Sequence, residues 1–163
     1  MKKNTYCASL ILLAAALVSV MIPAASLPGM ASAAERHEKP AHGGELQMIG
    51  ECRIGHSEII VDEGTVEIWI SSGGRGILKP VTIPDKTIGM KAYIEGSKIP
   101  KTLILNAAPL DPSESVGSCS HFIGHSEELK NPGTRFRAVG KILYNGAKLD
   151  MVIDFPLEDG KAY

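Results

Sequence analysis

The segment RFRAVGKILYNGAKLDMVIDFPL, residues 135–157, decides the fold of this chain. It consists of two runs, Arg135–Tyr144 and Ala147–Leu157, on either side of Asn145-Gly146. Asn-Gly favours the type I′ turn, whose twist matches that of two antiparallel strands. In the second run apolar and polar residues alternate, which puts an apolar row on one side and Asp150 and Asp154 on the other. The segment therefore predicts a β-hairpin with one buried face.

Strand patterns continue upstream of this hairpin, and no window shows a 3.6-residue period over three turns. Glu63-Gly64 predicts a tight turn between two β-branched runs. In the second of these runs Glu67 and Trp69 share one face, opposite Val66, Ile68 and Ile70. The other predicted strands are Glu45–Gly50, Ser57–Asp62, Thr65–Ser71, Ile77–Ile83 (an edge strand or a bulged one, because it contains Pro80), Thr87–Glu95 and Lys101–Ala107.

About eight short strands without a long helix predict an all-β domain over residues 45–163. Its architecture is expected to be either a single β-sandwich, of the immunoglobulin or cupredoxin kind, or a small barrel. One long loop, residues 108–133, exceeds the usual length of a connection without a function or internal structure.

The first 33 residues are typical of a cleaved signal peptide. Lys2 and Lys3 precede an uncharged apolar run from Ala8 to Met21, and Ala31-Ser32-Ala33 is a cleavage pattern. Cleavage after Ala33 leaves 130 residues and removes two lysines and no acidic residue, so the formal net charge changes from −1 to −3. We expect a periplasmic or secreted protein without a membrane anchor after cleavage. A mild negative charge without a basic cluster argues against nucleic acid and anionic lipid as partners.

Two cysteines, Cys52 and Cys119, remain after Cys7 leaves with the signal peptide. In an oxidising compartment two thiols most often form one disulfide. Closing the loop between them would stabilise the fold by roughly 4 kcal/mol.

The pentapeptide Ile-Gly-His-Ser-Glu occurs twice, at residues 54–58 and 123–127. Each histidine, His56 and His125, follows a soft or imidazole donor by four positions, namely Cys52 and His121. If the two copies lie side by side, these residues and Cys119 converge. Imidazole suits zinc and copper(II), and thiolate adds a preference for copper(I) and zinc. The hypothesis is a copper or zinc site formed by His56, His121, His125, Cys52 and Cys119.

A simpler interpretation stays open, in which a cystine joins two strands and the histidines have only local roles. The corresponding function is that of an envelope interaction domain that binds no metal. A small secreted hydrolase is a third alternative, but Ser57 next to His56 on a strand faces the opposite way and no nucleophile elbow is present. We therefore expect a protein that is not an enzyme.

The residues between the signal peptide and the first strand, 34–44, are polar and contain proline and glycine, which predicts a flexible arm. The arm contains His37 and His42. A histidine followed by Gly43-Gly44 can bind copper(II) weakly through its imidazole and backbone nitrogens, so these two histidines form a second candidate metal site.

The arrangement of a signal peptide, Pro40-Ala41-His42-Gly43-Gly44, the strand pair Ser57–Ile70 and closing strands such as Phe136–Phe155 resembles a loose group of small exported bacterial β-domain proteins. That group is associated with periplasmic heavy-metal efflux and resistance systems. The resemblance implies an accessory domain whose partners are a metal ion and an envelope efflux protein or another periplasmic protein. The Gly-His-Ser-Glu pair and the cysteines are not part of the resemblance.

Overall fold

The computed structural model describes residues 39–50, 54–73 and 78–157. The chain divides into two units, Met1–Ala34 and Glu35–Tyr163, and all described residues belong to the second. The predicted signal peptide, His37 and Cys52 lie outside the described residues. Within these described residues there is no helix that could span a membrane.

The described chain forms one antiparallel sheet of eight strands, which confirms the all-β prediction and fits the small barrel, one of its two predicted architectures. The order across the sheet is β1-β2-β3-β6-β5-β4-β7-β8, and β1 also contacts β8, so the sheet is nearly closed. The strands are β1 (Glu45–Ile49), β2 (Gly55–Asp62), β3 (Thr65–Ser72), β4 (Thr87–Ile94), β5 (Lys101–Ala107), β6 (His121–His125), β7 (Phe136–Tyr144) and β8 (Ala147–Phe155).

The core lies inside this barrel and follows the alternation of the strands. In β4 every second residue is buried from end to end. The two predicted turns are confirmed, since Asn145 and Gly146 have φ of 49° and 80°, and Glu63 and Gly64 have 45° and 84°. The largest fully buried side chains are Tyr144, Phe122, Ile49, Ile59, Ile68, Ile70, Ile83, Ile88, Leu103, Leu105, Ile142 and Met151.

The gap between β1 and β8 is bridged by side chains. Gln47 donates from Nε2 to the backbone oxygen of Asp154 at 2.7 Å and accepts from its backbone nitrogen at 2.9 Å. The carboxylate of Glu45 accepts a hydrogen bond from the backbone nitrogen of Leu157 at 2.8 Å. The amide of Gln47 thus takes the place of a peptide group from a neighbouring strand.

Two strand predictions were wrong. The predicted strand Ile77–Ile83 is reduced, within its described part, to bridges that pair Pro80 with Ser71 and Ile83 with Cys119. Pro80 has no N–H to donate, which limits regular pairing there. Conversely, β6 lies inside the segment predicted as one long loop, and it pairs with both β3 and β5.

Candidate functional site

Strands β2, β3 and β6 are neighbours, and the side chains that point away from the core form one surface. The register pairs Glu58 with Trp69 and Trp69 with His121, which makes a row across the three strands. The residues two positions away on each strand point the same way. We call this surface the histidine face, because every histidine among the described residues lies on it or against it: His42, His56, His121 and His125.

Trp69 lies at the centre of the histidine face, between two imidazole rings. The ring of His42 stacks on it with the centroids 4.3 Å apart and the planes at 14°. The ring of His121 stacks at 4.6 Å and 27°. The indole nitrogen of Trp69 is buried and has no hydrogen-bond partner. Because the two imidazoles are stacked on Trp69, they do not face each other across a shared ion.

His121 is 4 % exposed, and both of its ring nitrogens contact oxygen atoms. Its Nδ1 lies 2.8 Å from the carbonyl oxygen of Ala108, and this nitrogen carries a hydrogen because a carbonyl can only accept. Its Nε2 lies 3.0 Å from Oε2 of Glu67, whose side chain is 32 % exposed. A neutral ring in this tautomer therefore directs a lone pair at a carboxylate oxygen, which requires a proton or another cation between them.

The segment Ala41–Gly44, which we call the strap, lies against the same face. The carboxylate of Glu58 accepts hydrogen bonds from the backbone nitrogens of Ala41, His42 and Gly44, at 2.7 to 2.9 Å. It also lies 3.0 Å from Nδ1 of His42. The flexibility predicted for residues 34–44 stays a prediction; in this structure the backbone of the strap is hydrogen-bonded to one buried carboxylate.

The two glycines of the strap have separate structural roles. Gly43 has a φ of 84°, a conformation that L side chains rarely adopt. Gly44 passes so close to β2 that a Cβ there would lie 2.5 Å from the carbonyl oxygen of Ile59. The His-Gly-Gly sequence therefore fits the path of the strap over the sheet.

The electrostatics of Glu58 follow from this contact. Burial by itself raises the pKa of the carboxyl group, but the hydrogen bonds from Gly44, His42 and Ala41 together outweigh burial. The net result is a pKa below the ordinary value of 4.5. Glu58 therefore remains ionised and keeps the strap in place at neutral pH.

The structure does not bring the three predicted metal-binding histidines together. His56 is paired with Ser71 near one end of β3, and His125 with Thr65 at the other. Six positions of strand separate these pairs, which is about 20 Å. Both copies of the pentapeptide flank β3, but they are offset along it. Among the described residues no group of three or more His, Cys, Asp and Glu side chains is arranged to hold a metal ion.

The second predicted metal site, at His37 and His42, is described only in part. His37 is outside the described residues, and the ring of His42 and its neighbouring amides are bonded to Glu58 rather than free. His125 contacts Oε1 of the exposed Glu127 at 3.0 Å.

Cys119 is a fully buried free thiol in this structure. Its Sγ donates to the carbonyl oxygen of His121 at 3.0 Å and lies 3.6 Å from Oε2 of Glu114. Burial raises the pKa of this thiol. Because Cys52 lies outside the described residues, the disulfide between the two cysteines stays a prediction.

Sequence reasoning missed the parts of the site that involve Glu58, Glu67 and Trp69. A signal for two of them was present, since Glu67 and Trp69 were placed on the polar face of β3. Trp69 is the one tryptophan of the chain, and a large aromatic residue on a polar face calls for a covering group. The covering groups come from distant segments, so no local pattern identifies them.

Comparisons with protein-family models, curated proteins and solved structures gave no significant match.

Proposed function

We propose that this protein is an exported, non-enzymatic accessory protein that binds a transition-metal ion, zinc or copper, at the pair formed by His121 and Glu67. One observation carries the proposal. The hydrogen bond from His121 Nδ1 to Ala108 leaves the Nε2 lone pair directed at a carboxylate oxygen 3.0 Å away. Histidines that ligate metals commonly donate their other ring N–H to a carbonyl or carboxylate in this way.

The distance within the pair is close to what a metal ion requires. Zinc bonds of about 2.0–2.1 Å to nitrogen and oxygen at tetrahedral angles place two ligand atoms about 3.3 Å apart. The pair is therefore within a few tenths of an ångström of accepting an ion in place of a proton. Glu67 is partly exposed, so water molecules can complete the coordination.

Two protein ligands support exchange of the ion better than permanent retention. Structural zinc sites usually have four protein ligands and catalytic ones three. A site with two suits a protein that takes up and passes on ions, which agrees with export and with the resemblance to accessory proteins of periplasmic heavy-metal systems. The proposal replaces the five-residue site expected from the sequence with His121 and one carboxylate on a neighbouring strand.

The test is a titration of the mature chain, residues 34–163, with zinc by calorimetry. Emission of Trp69 is followed in parallel, since its indole stacks on the His121 ring. The variant Glu67→Gln removes the charge, while its amide can donate to His121 Nε2 and keep the ring in place. We expect Glu67→Gln to weaken zinc binding at least about tenfold, the loss of roughly 1.4 kcal/mol.

The matched control is Asp150→Asn, which removes a carboxylate paired with Lys141 and remote from the histidine face. This variant should bind zinc as the unmodified protein does. Equal zinc affinity in Glu67→Gln and the unmodified protein would contradict the proposal. Absence of zinc binding in all three proteins would also contradict the proposal and would favour the alternative of an interaction domain without metal.

A further inference from the structure

Several nitrogen atoms of the strap point at one carboxylate. His42 Nδ1 is 3.0 Å from Glu58 Oε2, and the Gly44 backbone nitrogen is 2.9 Å from Oε1. The His42 and Ala41 backbone nitrogens also donate to this carboxylate. Among the described residues, the hydrogen bonds of the strap all go to Glu58, and its ring contact is the stack of His42 on Trp69.

The strap has the donors that copper(II) uses in a chelate. Copper(II) favours tetragonal coordination by nitrogen and oxygen. The imidazole of His42 would anchor the ion, and the amide nitrogens of Gly43 and Gly44, after losing their protons, would complete adjacent chelate rings. Glycine suits such a chelate because it has no side chain to obstruct the folded backbone.

We propose that the strap is a copper(II) site that Glu58 keeps closed. The His42 ring and the Gly44 amide are bonded to Glu58 in this structure, and both are needed by the chelate, so the two states exclude each other. When copper(II) binds, its bonds to the His42 imidazole and the Gly44 amide nitrogen replace the contacts of these two groups with Glu58, and the Gly43 amide nitrogen is the third nitrogen donor. Two amide protons are released to water, and the oxidation state of copper does not change.

This site is separate from the pair of His121 and Glu67, with which it shares no donor atom. The two sites meet only at Trp69, one face of which is covered by the strap and the other by His121. Withdrawal of the strap uncovers the first face, so emission of Trp69 reports on copper binding.

Copper(II) binds only molecules in which the strap is open. The apparent association constant is therefore the intrinsic constant multiplied by the fraction of open molecules. Removing the carboxylate that closes the strap should therefore strengthen copper binding. This sign distinguishes the proposal from one in which Glu58 is a copper ligand, where its removal would weaken binding.

The experiment titrates the mature chain with copper(II) alone, followed by electron paramagnetic resonance and visible circular dichroism, which distinguish amide-nitrogen coordination. Glu58→Gln should bind copper(II) at least about tenfold more tightly than the unmodified protein. His42→Ala should lose the amide-coordinated signal, while Asp150→Asn, which changes a carboxylate paired with Lys141 on another part of the sheet, should keep it. Release of two protons should make the affinity rise by on the order of a hundredfold per pH unit.

Weaker or unchanged copper binding in Glu58→Gln would overturn the proposal, and so would an amide-coordinated signal that persists in His42→Ala. If Glu58→Gln does not fold, His42→Ala and the pH dependence still test copper binding by the strap. His42→Ala is expected to fold, because His42 is exposed and lies outside the core. Failure of zinc binding at His121 leaves the copper result unaffected.

Discussion

Closing the barrel at the gap between β1 and β8 depends on Gln47, and the replacement Gln47→Leu tests this dependence. The side chain of Gln47 is 6 % exposed, and leucine matches its size approximately. The replacement removes two hydrogen bonds and leaves both the N–H and the C=O of Asp154 without these partners. An unsatisfied buried group costs about 1–3 kcal/mol, and the added apolar contact of leucine offsets part of that.

We therefore expect Gln47→Leu to lower the free energy of unfolding by about 2–3 kcal/mol, a large part of the roughly 5–15 kcal/mol that domains have. Urea unfolding followed by far-UV circular dichroism measures this difference, with the dependence on urea expected to be unchanged. The control is Asp154→Asn, which breaks only the exposed ion pair with Arg137 and should cost less than about 1 kcal/mol. A loss in Gln47→Leu no larger than that of the control would refute the role of Gln47 as a substitute peptide group.

Three further predictions concern the strap and the thiol. Gly44→Ala, whose Cβ would lie 2.5 Å from the carbonyl oxygen of Ile59, should detach the strap without unfolding the barrel, seen as altered Trp69 emission with an unchanged far-UV spectrum. The folded-state pKa of Glu58 is lowered, so its stabilisation of the strap is present above pH 4.5 and is lost as the pH falls through the lowered value. Trp69 emission should therefore change as the pH is lowered below 4.5, and this change should be absent in Glu58→Gln. Cys119 is buried and its pKa is raised, so it should resist alkylation at pH 8 until the protein is unfolded. If a denatured, unreduced sample instead contains no free thiol, the disulfide expected from the sequence is established.

The elements that could be predicted from sequence are those whose information is local. The hairpin at Asn145-Gly146 combines a turn dipeptide with alternating strands on both sides, and the structure confirms it. The pair Glu63-Gly64 gave the turn between β2 and β3 in the same way. In each case the two strands are adjacent in the chain, so turn geometry sets the register without any distant contact.

Strand β6 could not be predicted because it is stabilised by pairing with strands that are distant in sequence. Among its five residues only Phe122 and Ile123 are large and apolar, which is too short a run to indicate a strand. It forms because β3 and β5 supply hydrogen-bonding partners on both sides. Gly124 fits there because a Cβ would lie 2.4 Å from the carbonyl oxygen of Ile104, a contact between segments far apart in sequence.

The repeated pentapeptide shows why identical local sequences did not reveal the site. Glu58 is 3 % exposed because the strap lies across the first copy of the pentapeptide. Its carboxylate accepts hydrogen bonds from backbone amides of the strap. Glu127, the same residue of the second copy, lies in a short 3-10 helix beyond the end of β6 and pairs with Lys130 at the surface. The two glutamates thus differ in burial and in partners although their neighbours in sequence are the same. The chemistry of each copy is set by the segment that packs on it, and the offset along β3 that separates the copies is a property of the sheet register rather than of the motif.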